Sequence, residues 1–235
     1  MGGNSDVPNI FGTTGQQAPD ATCPTGNTNW GRMITQPIFG LDDTRAGYAC
    51  IPAANYLRGD VLVVRHAAPW LAPATLVATR PYLRSSLFEG KIFLGGAQAN
   101  AINTVLDTPQ SVRELQASAY FVGPSGRSCG GTAVPSLFRV RLDDNGQPVR
   151  EEVLPGIEQF QVQYGINDQY LDADALALTD WADVVTARIW LLVRAECSET
   201  GFIDNTTYNM GDQAYLPAEQ NFRRQLYSSV VMIRN

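Results

Sequence analysis

The chain contains a single histidine, His66, and this count limits the catalysis that the sequence allows. A serine or cysteine hydrolase needs a histidine as its general base, and His66 directly follows a predicted strand. Gly126–Gly130 fits the Gly-x-Ser-x-Gly pattern, but the next predicted element is a strand and not the helix that follows a nucleophile elbow, and Gly123–Gly126 has the wrong spacing for one. Metal-dependent hydrolases with several histidine ligands are excluded by the same count. The sequence therefore predicts no catalytic residue and no enzymatic activity.

Carboxylates are the remaining candidates for a ligand site. Asp168, Asp172 and Asp174 lie close together in an acidic loop, and oxygen ligands of this kind can hold calcium. The loop lacks the alternating aspartates and the distal glutamate of an EF-hand, so a solvated turn is the preferred interpretation and calcium binding the alternative. Glu151 and Glu152 are neighbours in a predicted strand. They should therefore point to opposite faces and cannot flank one glycosidic bond.

Neither a cofactor nor a nucleic acid is expected to bind. No glycine-rich loop opens a helix, and Gly95–Gly96 is better explained as a turn. The formal net charge is -6, and the basic residues are scattered along the chain instead of forming a stripe. The tryptophans are Trp30, Trp70, Trp181 and Trp190, which could form a sugar platform or a partner interface. For Trp181 and Trp190 a place in the core is the preferred interpretation.

Four cysteines, Cys23, Cys50, Cys129 and Cys197, are far apart in the sequence. Zinc ribbons and thioredoxin-like sites require close Cys-x-x-Cys pairs, so both are excluded. Three pairings into two disulfides remain, and we favour Cys23–Cys50 with Cys129–Cys197, since each bridge then joins one region to itself. In the chain-entropy model these loops contribute about 3.5 and about 4 kcal/mol. The alternative is four buried thiols in a cytosolic protein.

The elements that position these residues are mostly strands. Residues 1–56 are rich in Gly, Pro, Asn and Thr without a sustained period, which predicts an irregular extension stapled by a disulfide. Residues 57–235 are predicted to form one β-rich domain, with a helical turn at Ser111–Ala117. Strands are predicted at Asp60–Arg65, Lys91–Leu94, Ser118–Val122, Leu137–Leu142, Pro148–Val153, Phe160–Tyr164, Val184–Arg194 and Leu226–Ile233.

Alternation and turn residues indicate that these strands are antiparallel. Residues 160–164 alternate between apolar side chains and glutamines, which predicts one solvated face. Asn145-Gly146 predicts a two-residue type I′ hairpin turn, and Gly123–Gly126 is predicted to end the preceding strand. The strand at Val184–Arg194 carries apolar side chains on both faces, which indicates that its second face is partly covered.

No apolar stretch is long enough to cross a bilayer, which takes roughly 20 residues. Arg65 and Arg194 interrupt the two longest stretches. The first residues, Met1–Ser5, have neither the charged nor the apolar region of a signal peptide. As given, the chain is expected to be soluble, with any targeting segment removed.

A set of motifs occurs in a specific order between residues 58 and 235. They are GDVLVVR at Gly59–Arg65, AYFVG at Ala119–Gly123, SLFR at Ser136–Arg139, EEVLPGIEQFQVQYGI at Glu151–Ile166, WADVV at Trp181–Val185, LLVRAE at Leu191–Glu196 and the terminal Arg-Asn. In this combination they resemble PilW-type minor pilins of type IV pili, which are related to the minor pseudopilin J of type II secretion.

The resemblance implies an α+β fold that is mostly β, in which a long N-terminal helix lies across a pilin-like antiparallel sheet roll. The sequence departs from this pattern because the cleavage motif and apolar helix are absent before Asn9–Gly12. A sheet face carrying Val185, Ile189 and Val193, or its opposite, is therefore expected to be exposed or covered by residues 1–56.

The resemblance also implies a structural role instead of a catalytic one. The chain is expected to join other minor pilins and a tip adhesin in the tip complex that primes pilus assembly, and thereby to serve adhesion and twitching motility. The implied location is the periplasm and surface pilus of a Gram-negative bacterium, with an inner-membrane anchor in the full-length form. The alternatives are a minor pseudopilin of type II secretion and a surface adhesin that binds glycans or calcium.

Overall fold

A computed structural model describes residues 37–46, 48, 50–85, 90–96 and 111–233. These residues form thirteen strands, with 3-10 turns at Ala53–Asn55, Ala173–Ala175 and Asp180–Ala182, so the predicted mostly β fold is confirmed. The strands are β1 (Ile38–Leu41), β2 (Arg58–Ala67), β3 (Pro81–Ser85), β4 (Gly90–Leu94), β5 (Ser111–Cys129), β6 (Thr132–Leu142), β7 (Pro148–Pro155), β8 (Ile157–Ile166), β9 (Gln169–Leu171), β10 (Thr186–Arg194), β11 (Tyr208–Met210), β12 (Gln213–Tyr215) and β13 (Arg224–Met232).

The described strands form two large antiparallel sheets and a small ribbon. The main sheet has the order β1-β2-β5-β3-β4, and β6 and β7 extend it from β5. The second sheet has the order β13-β10-β8-β9, and β11 pairs with β12 in the ribbon. Strand β8 contacts β2, β5 and β6, so the second sheet packs against the main sheet through this strand.

The core lies between the two sheets. The pairing register sets Val63, Ala119 and Val140 side by side on β2, β5 and β6, and all three are buried. On the second sheet Phe160 and Val162 of β8 belong to the same buried cluster. Burial of a Val or Phe side chain stabilises a fold by about 1.5–3 kcal/mol, so this contact between sheets is a major source of stability.

Aromatic rings fill one end of this core. The ring of Trp181 lies 4.7 Å from the rings of both Phe39 and Tyr164, and Trp181 is buried. The predicted core position of Trp181 is confirmed. Trp190 is only half-buried, and Arg188 lies over its ring, so its predicted core position is wrong. Trp70 is exposed.

Strand β1 belongs to the region that the sequence predicts to be irregular. It pairs with β2 from Ile38 to Leu41, and the hydroxyl of Tyr164 occupies the place where a Cβ of Gly40 would lie. A glycine is therefore required for this close approach. Residues 1–36 lie outside the described residues, and the irregular extension stays a prediction for them.

Strand β5 differs from its predicted form at both ends. Ser111–Ala117 is not a helical turn but the start of β5, and it pairs with β3 and then with β2. Gly123–Gly126 does not end the strand, because β5 continues to Cys129 with a register shift between Pro124 and Ser128. The chain reverses at Gly130-Gly131 instead, where both glycines have positive φ.

Strand β8 is buried on both faces, so the predicted solvated face is wrong. Gln161 is buried, and its amide donates a hydrogen bond to the Asp43 carboxylate at 2.8 Å. A buried glutamine is tolerated when it is hydrogen-bonded, and alternation with polar residues cannot distinguish this case from solvation. Asp43 belongs to the segment that follows β1, and contact with this segment explains why Gln161 is buried.

The hairpin between β6 and β7 lies where the sequence predicts it, but the turn type is different. Gly146 has a φ of 74°, while Asn145 is not among the residues with positive φ, as a type I′ turn would require. The Asp143 carboxylate accepts hydrogen bonds from the backbone N–H groups of Asn145 and Gln147. This side-chain bonding stabilises the longer loop.

A disulfide joins Cys129 at the end of β5 to Cys197 after β10, with an S–S distance of 2.05 Å. It links the end of β5 in the main sheet to the loop that follows β10 of the second sheet. Cys23 lies outside the described residues, so the pair Cys23–Cys50 stays a prediction.

Candidate functional site

Strand β13 forms one edge of the second sheet. It pairs with β10 along its whole length, from Arg224 to Met232, and none of the described strands pairs with its other side. A free strand edge presents a row of backbone N–H and C=O groups to which another strand can add. The end of the chain therefore offers a nine-residue edge for association.

Large apolar side chains are exposed on and beside this edge. We call them the apolar strip: Val185, Tyr227, Val230, Val231 and Met232, which are 48–71% exposed. They come together because Ile233 donates a backbone hydrogen bond to Val185 and the end of β13 runs beside the start of β10. Because side chains alternate along a strand, Val185, Tyr227 and Val231 lie on one face of the sheet and Val230 and Met232 on the other, so this edge is apolar on both faces. Exposed apolar groups of this kind mark interaction surfaces.

The apolar strip includes part of the sheet face that the sequence predicts to be uncovered. Val185 is exposed, whereas Ile189 and Val193 are half-buried. The register also places Tyr227 and Val231 on the face that carries Ile189. The side chains of this sheet face are therefore exposed near β13 and become more buried toward β8.

A buried ion cluster fixes the start of β13. The Arg224 guanidinium lies 2.5 Å from the Glu158 carboxylate and 3.3 Å from that of Asp204, and these three side chains are 0, 4 and 5% exposed. Hydroxyls of Tyr215 and Tyr208 donate to Glu158 and Asp204. Burial opposes ionisation of Asp204, yet its pKa is lowered because Thr206, Tyr208 and Arg224 hydrogen-bond to the carboxylate.

The three predicted calcium residues are only partly brought together. Asp168 is exposed in the turn between β8 and β9, at a φ of 61°. Asp172 precedes the 3-10 turn Ala173–Ala175, and Asp174 lies within it. Among the described residues no group of three or more histidine, cysteine, aspartate or glutamate side chains is placed to hold a metal ion. Calcium binding stays the untested alternative to a solvated turn.

Two carboxylates that the sequence analysis did not select lie near Asp172 and Asp174. Burial, followed by the negative charges of Asp212 and Asp174, raises the pKa of Asp42 to about 6. Burial also raises the pKa of Asp172, and the charges of Asp212 and Asp174 add to the effect. Asp42 and Asp212 come from distant segments, and no local spacing connects them to the acidic loop.

Asp60 is a buried carboxylate that connects the two sheets. One oxygen accepts a hydrogen bond from the backbone N–H of Asp43 at 3.0 Å, and the other accepts one from the N–H of Val162 at 2.7 Å. Burial raises the pKa of Asp60 to about 8, because the loss of hydration outweighs these two hydrogen bonds.

We expect Asp60 to make the protein less stable as the pH rises. Because its folded-state pKa lies above the unfolded value, the stabilisation is complete below about pH 4 and is lost as the pH approaches about 8. Urea unfolding at pH 5, 6, 7 and 8 should show a falling free energy of unfolding, with a slope approaching about 1.4 kcal/mol per pH unit.

The variant Asp60→Asn should flatten this dependence between pH 6 and 8, because the raised pKa of Asp42, about 6, adds to the slope only at lower pH. Asp183→Asn, at an exposed aspartate, should leave it unchanged. Carboxyls with a lowered pKa, such as Glu151 at about 2, lose their contribution only at lower pH and do not interfere. A free energy of unfolding that increases from pH 5 to pH 8 would contradict the raised pKa.

A polar groove of about 610 Å³ lies on the face of the main sheet that contains His66. The register places His66 of β2 beside Gln116 of β5, and Ser118 between Val64 and Arg141. The groove is lined by Val64, His66, Trp70, Arg80, Glu114, Leu115, Gln116, Ala117, Ser118, Tyr120, Arg139, Arg141, Leu142 and Asp144.

The groove does not assemble a hydrolytic triad from the described residues. His66 is exposed, and no hydrogen bond joins it to Ser118 or to a carboxylate in this part of the chain. A nucleophile needs a base within hydrogen-bond reach, oriented by a third group. The groove offers polar groups to a ligand, and the described residues supply no paired nucleophile and base within it.

The two adjacent glutamates have separate partners beside this groove. Glu151 lies 2.6 Å from Arg139 and 2.5 Å from Arg141, whereas Glu152 pairs with Arg127. Hydrogen bonds from Arg141 and Arg139 lower the pKa of Glu151 to about 2. The two carboxylates do not form an acid–base pair.

Within the described ranges no helix is long and apolar enough to span a membrane. Residues 119–235 match the family model PilW, described as type IV pilus-assembly protein W. No curated protein and no solved structure matches the chain. The matched segment runs from the middle of β5 to the end of the chain and contains the whole of the second sheet.

Proposed function

Since this chain belongs, through residues 119–235, to the PilW family of type IV pilus-assembly proteins, we propose that it is a minor pilin that joins other minor pilins in the tip complex priming pilus assembly. Its role is structural and not catalytic. The proposed location is the periplasm and the surface pilus of a Gram-negative bacterium, and the proposed partners are other minor pilins and a tip adhesin.

The observation that carries this proposal is the free edge of β13 with the apolar strip. An assembly subunit needs a surface whose burial drives association, and apolar burial contributes about 25 cal/mol per Å². The strip provides such side chains at a strand edge, where backbone hydrogen bonds can add orientation to affinity. The matched family segment includes every residue of the strip.

We expect Val231→Asp to reduce capture of the partner minor pilins at least tenfold, because a charge would then be buried in the contact. The measurement is co-purification of the tagged chain with each minor pilin of its own pilus system. Val153→Asp is the matched control, since Val153 is also 48% exposed and also lies on an edge strand, β7. Equal capture by the two variants would contradict a role for the β13 edge.

The same co-purification separates the proposal from its closest alternative. A minor pseudopilin of a type II secretion system would retain pseudopilins of that system in preference to minor pilins. Capture of pseudopilins alone would overturn the assignment to the pilus tip complex. Loss of capture in Val231→Asp would still locate the contact at β13.

A further inference from the structure

The groove beside His66 has a polar floor built by one face of β5. Glu114, Gln116, Ser118 and Tyr120 alternate with Leu115, Ala117 and Ala119, which are buried below the sheet. Its volume of about 610 Å³ falls in the range of small-molecule sites, about 300–1,000 Å³. The groove is on the main sheet, whereas the apolar strip is on the second sheet. Since the groove is polar, we expect it to take a different kind of ligand from the partner proposed for the apolar strip.

Three side chains in the groove have hydrogen-bonding groups without a partner among the described residues. They are His66, Gln116 and Ser118, which lie next to one another in the register of β2 and β5. Together they supply an imidazole, an amide and a hydroxyl, so donors and acceptors occur side by side. A ligand with several hydroxyl groups can satisfy this mixture, because each hydroxyl both donates and accepts.

Three arginines and two carboxylates line the groove, and the charges balance when Glu151, which contacts two of these arginines from beside the groove, is included. Arg80 pairs with Glu114 at 3.0 Å and with Asp144 at 3.4 Å, and Glu151 pairs with both Arg139 and Arg141. Three arginines thus face three carboxylates, and the whole chain carries a net charge of -6. No cationic excess is left to attract a phosphate, a nucleic acid or an acidic sugar. The balance favours an uncharged ligand.

Trp70 supplies a flat apolar surface at the rim. It is 58% exposed and lines the groove together with His66. An exposed tryptophan offers a large rigid surface at low entropic cost, and the C–H face of a sugar ring is an apolar surface of matching shape. Arginine and carboxylate side chains at the same site can hydrogen-bond the hydroxyls at the edge of such a ring.

We propose that this groove binds a neutral oligosaccharide, with one sugar ring stacked on Trp70 and its hydroxyls hydrogen-bonded to His66, Gln116 and Ser118. The site lies away from the acidic loop of Asp168–Asp174 and needs no metal ion. With this site, the protein recognises a glycan in addition to its proposed role as an assembly subunit. The inference does not depend on the contact at β13, since the two surfaces lie on different sheets.

The test applies the full chain to an array of immobilised neutral and acidic oligosaccharides, and then titrates the best neutral ligand by isothermal titration calorimetry, whose signal does not depend on Trp70. We expect saturable binding of at least one neutral oligosaccharide. Trp70→Ala should raise its Kd about tenfold or more, the loss expected for removal of one stacked ring and its contact area. Leu71→Ala is the matched control, because Leu71 is 61% exposed beside Trp70 and does not line the groove.

A second variant tests the floor of the groove. Ser118→Tyr places a large side chain where the ligand would lie, and circular dichroism reports whether the fold is kept. Abolished binding with an unchanged spectrum supports the proposal. Binding of acidic oligosaccharides alone, no binding of any neutral oligosaccharide, or an unchanged Kd in Trp70→Ala would each overturn it. Pilin capture at β13 should be unaffected by Trp70→Ala.

Discussion

Replacement of Arg224 by methionine is expected to lower the free energy of unfolding by about 3–5 kcal/mol. The methionine keeps most of the side-chain volume but removes the positive charge that faces Glu158 and Asp204. Both carboxylates are then buried without a counter-ion, which costs far more than the net value of the ion pair. Urea unfolding of the two proteins at pH 7 measures the difference.

Arg223 provides the matched control for this variant. It is the neighbouring residue, and its ion pair with Glu199 is exposed, at 64% and 50% of the two side chains. Exposed ion pairs contribute about 0–1 kcal/mol, so Arg223→Met should change the free energy of unfolding little. If Arg224→Met were as stable as Arg223→Met, the cluster would be solvated and the start of β13 held by other contacts.

Removal of the disulfide between Cys129 and Cys197 is the second change with a large expected effect. The two residues are 68 positions apart, and in the chain-entropy model the bridge contributes about 4 kcal/mol by restricting the unfolded chain. The double variant Cys129→Ser, Cys197→Ser should therefore unfold at a much lower urea concentration. Changing both cysteines avoids a free thiol that would exchange with other bridges.

Ser128→Ala with Ser198→Ala is the control for this pair, since both serines are exposed and adjoin the cysteines. It should unfold at nearly the same urea concentration as the unchanged protein. A loss below about 1 kcal/mol in the double cysteine variant would mean that the unfolded chain is already restricted, for example by residual structure.

The sequence predicted strands well where one face is buried and the other is solvated. The period-two pattern of Phe138, Val140 and Leu142 against Arg139 and Arg141 correctly predicts the second half of β6, which begins at Thr132. The same pattern exists at the start of β5, where Glu114 to Tyr120 alternate, yet the sequence predicts a helical turn over Ser111–Ala117 and a strand only from Ser118. The small side chains Ala117 and Ala119 weaken the apolar half of the pattern, although in the structure both are buried.

The candidate sites were harder to predict, because they depend on contacts between distant segments. The sequence identifies the strand of β13 but not that its outer side is free of other described strands. The glutamines of β8 have the pattern of a solvated face, and only the segment around Asp43 explains their burial. Likewise, Trp70 and Ser118 are about fifty residues apart, and the pairing of β2 with β5 brings their segments to one groove.

The buried ion cluster also bears on the contact proposed at β13. Arg224 is the first residue of the strand, and its guanidinium is held inside the protein by carboxylates from β8 and from the loop before β11. The edge is therefore preorganised before any partner arrives, and little conformational entropy is left to lose on docking. At the proposed contact, affinity could then come from a modest contact area, and β13 would need no rearrangement to receive a partner.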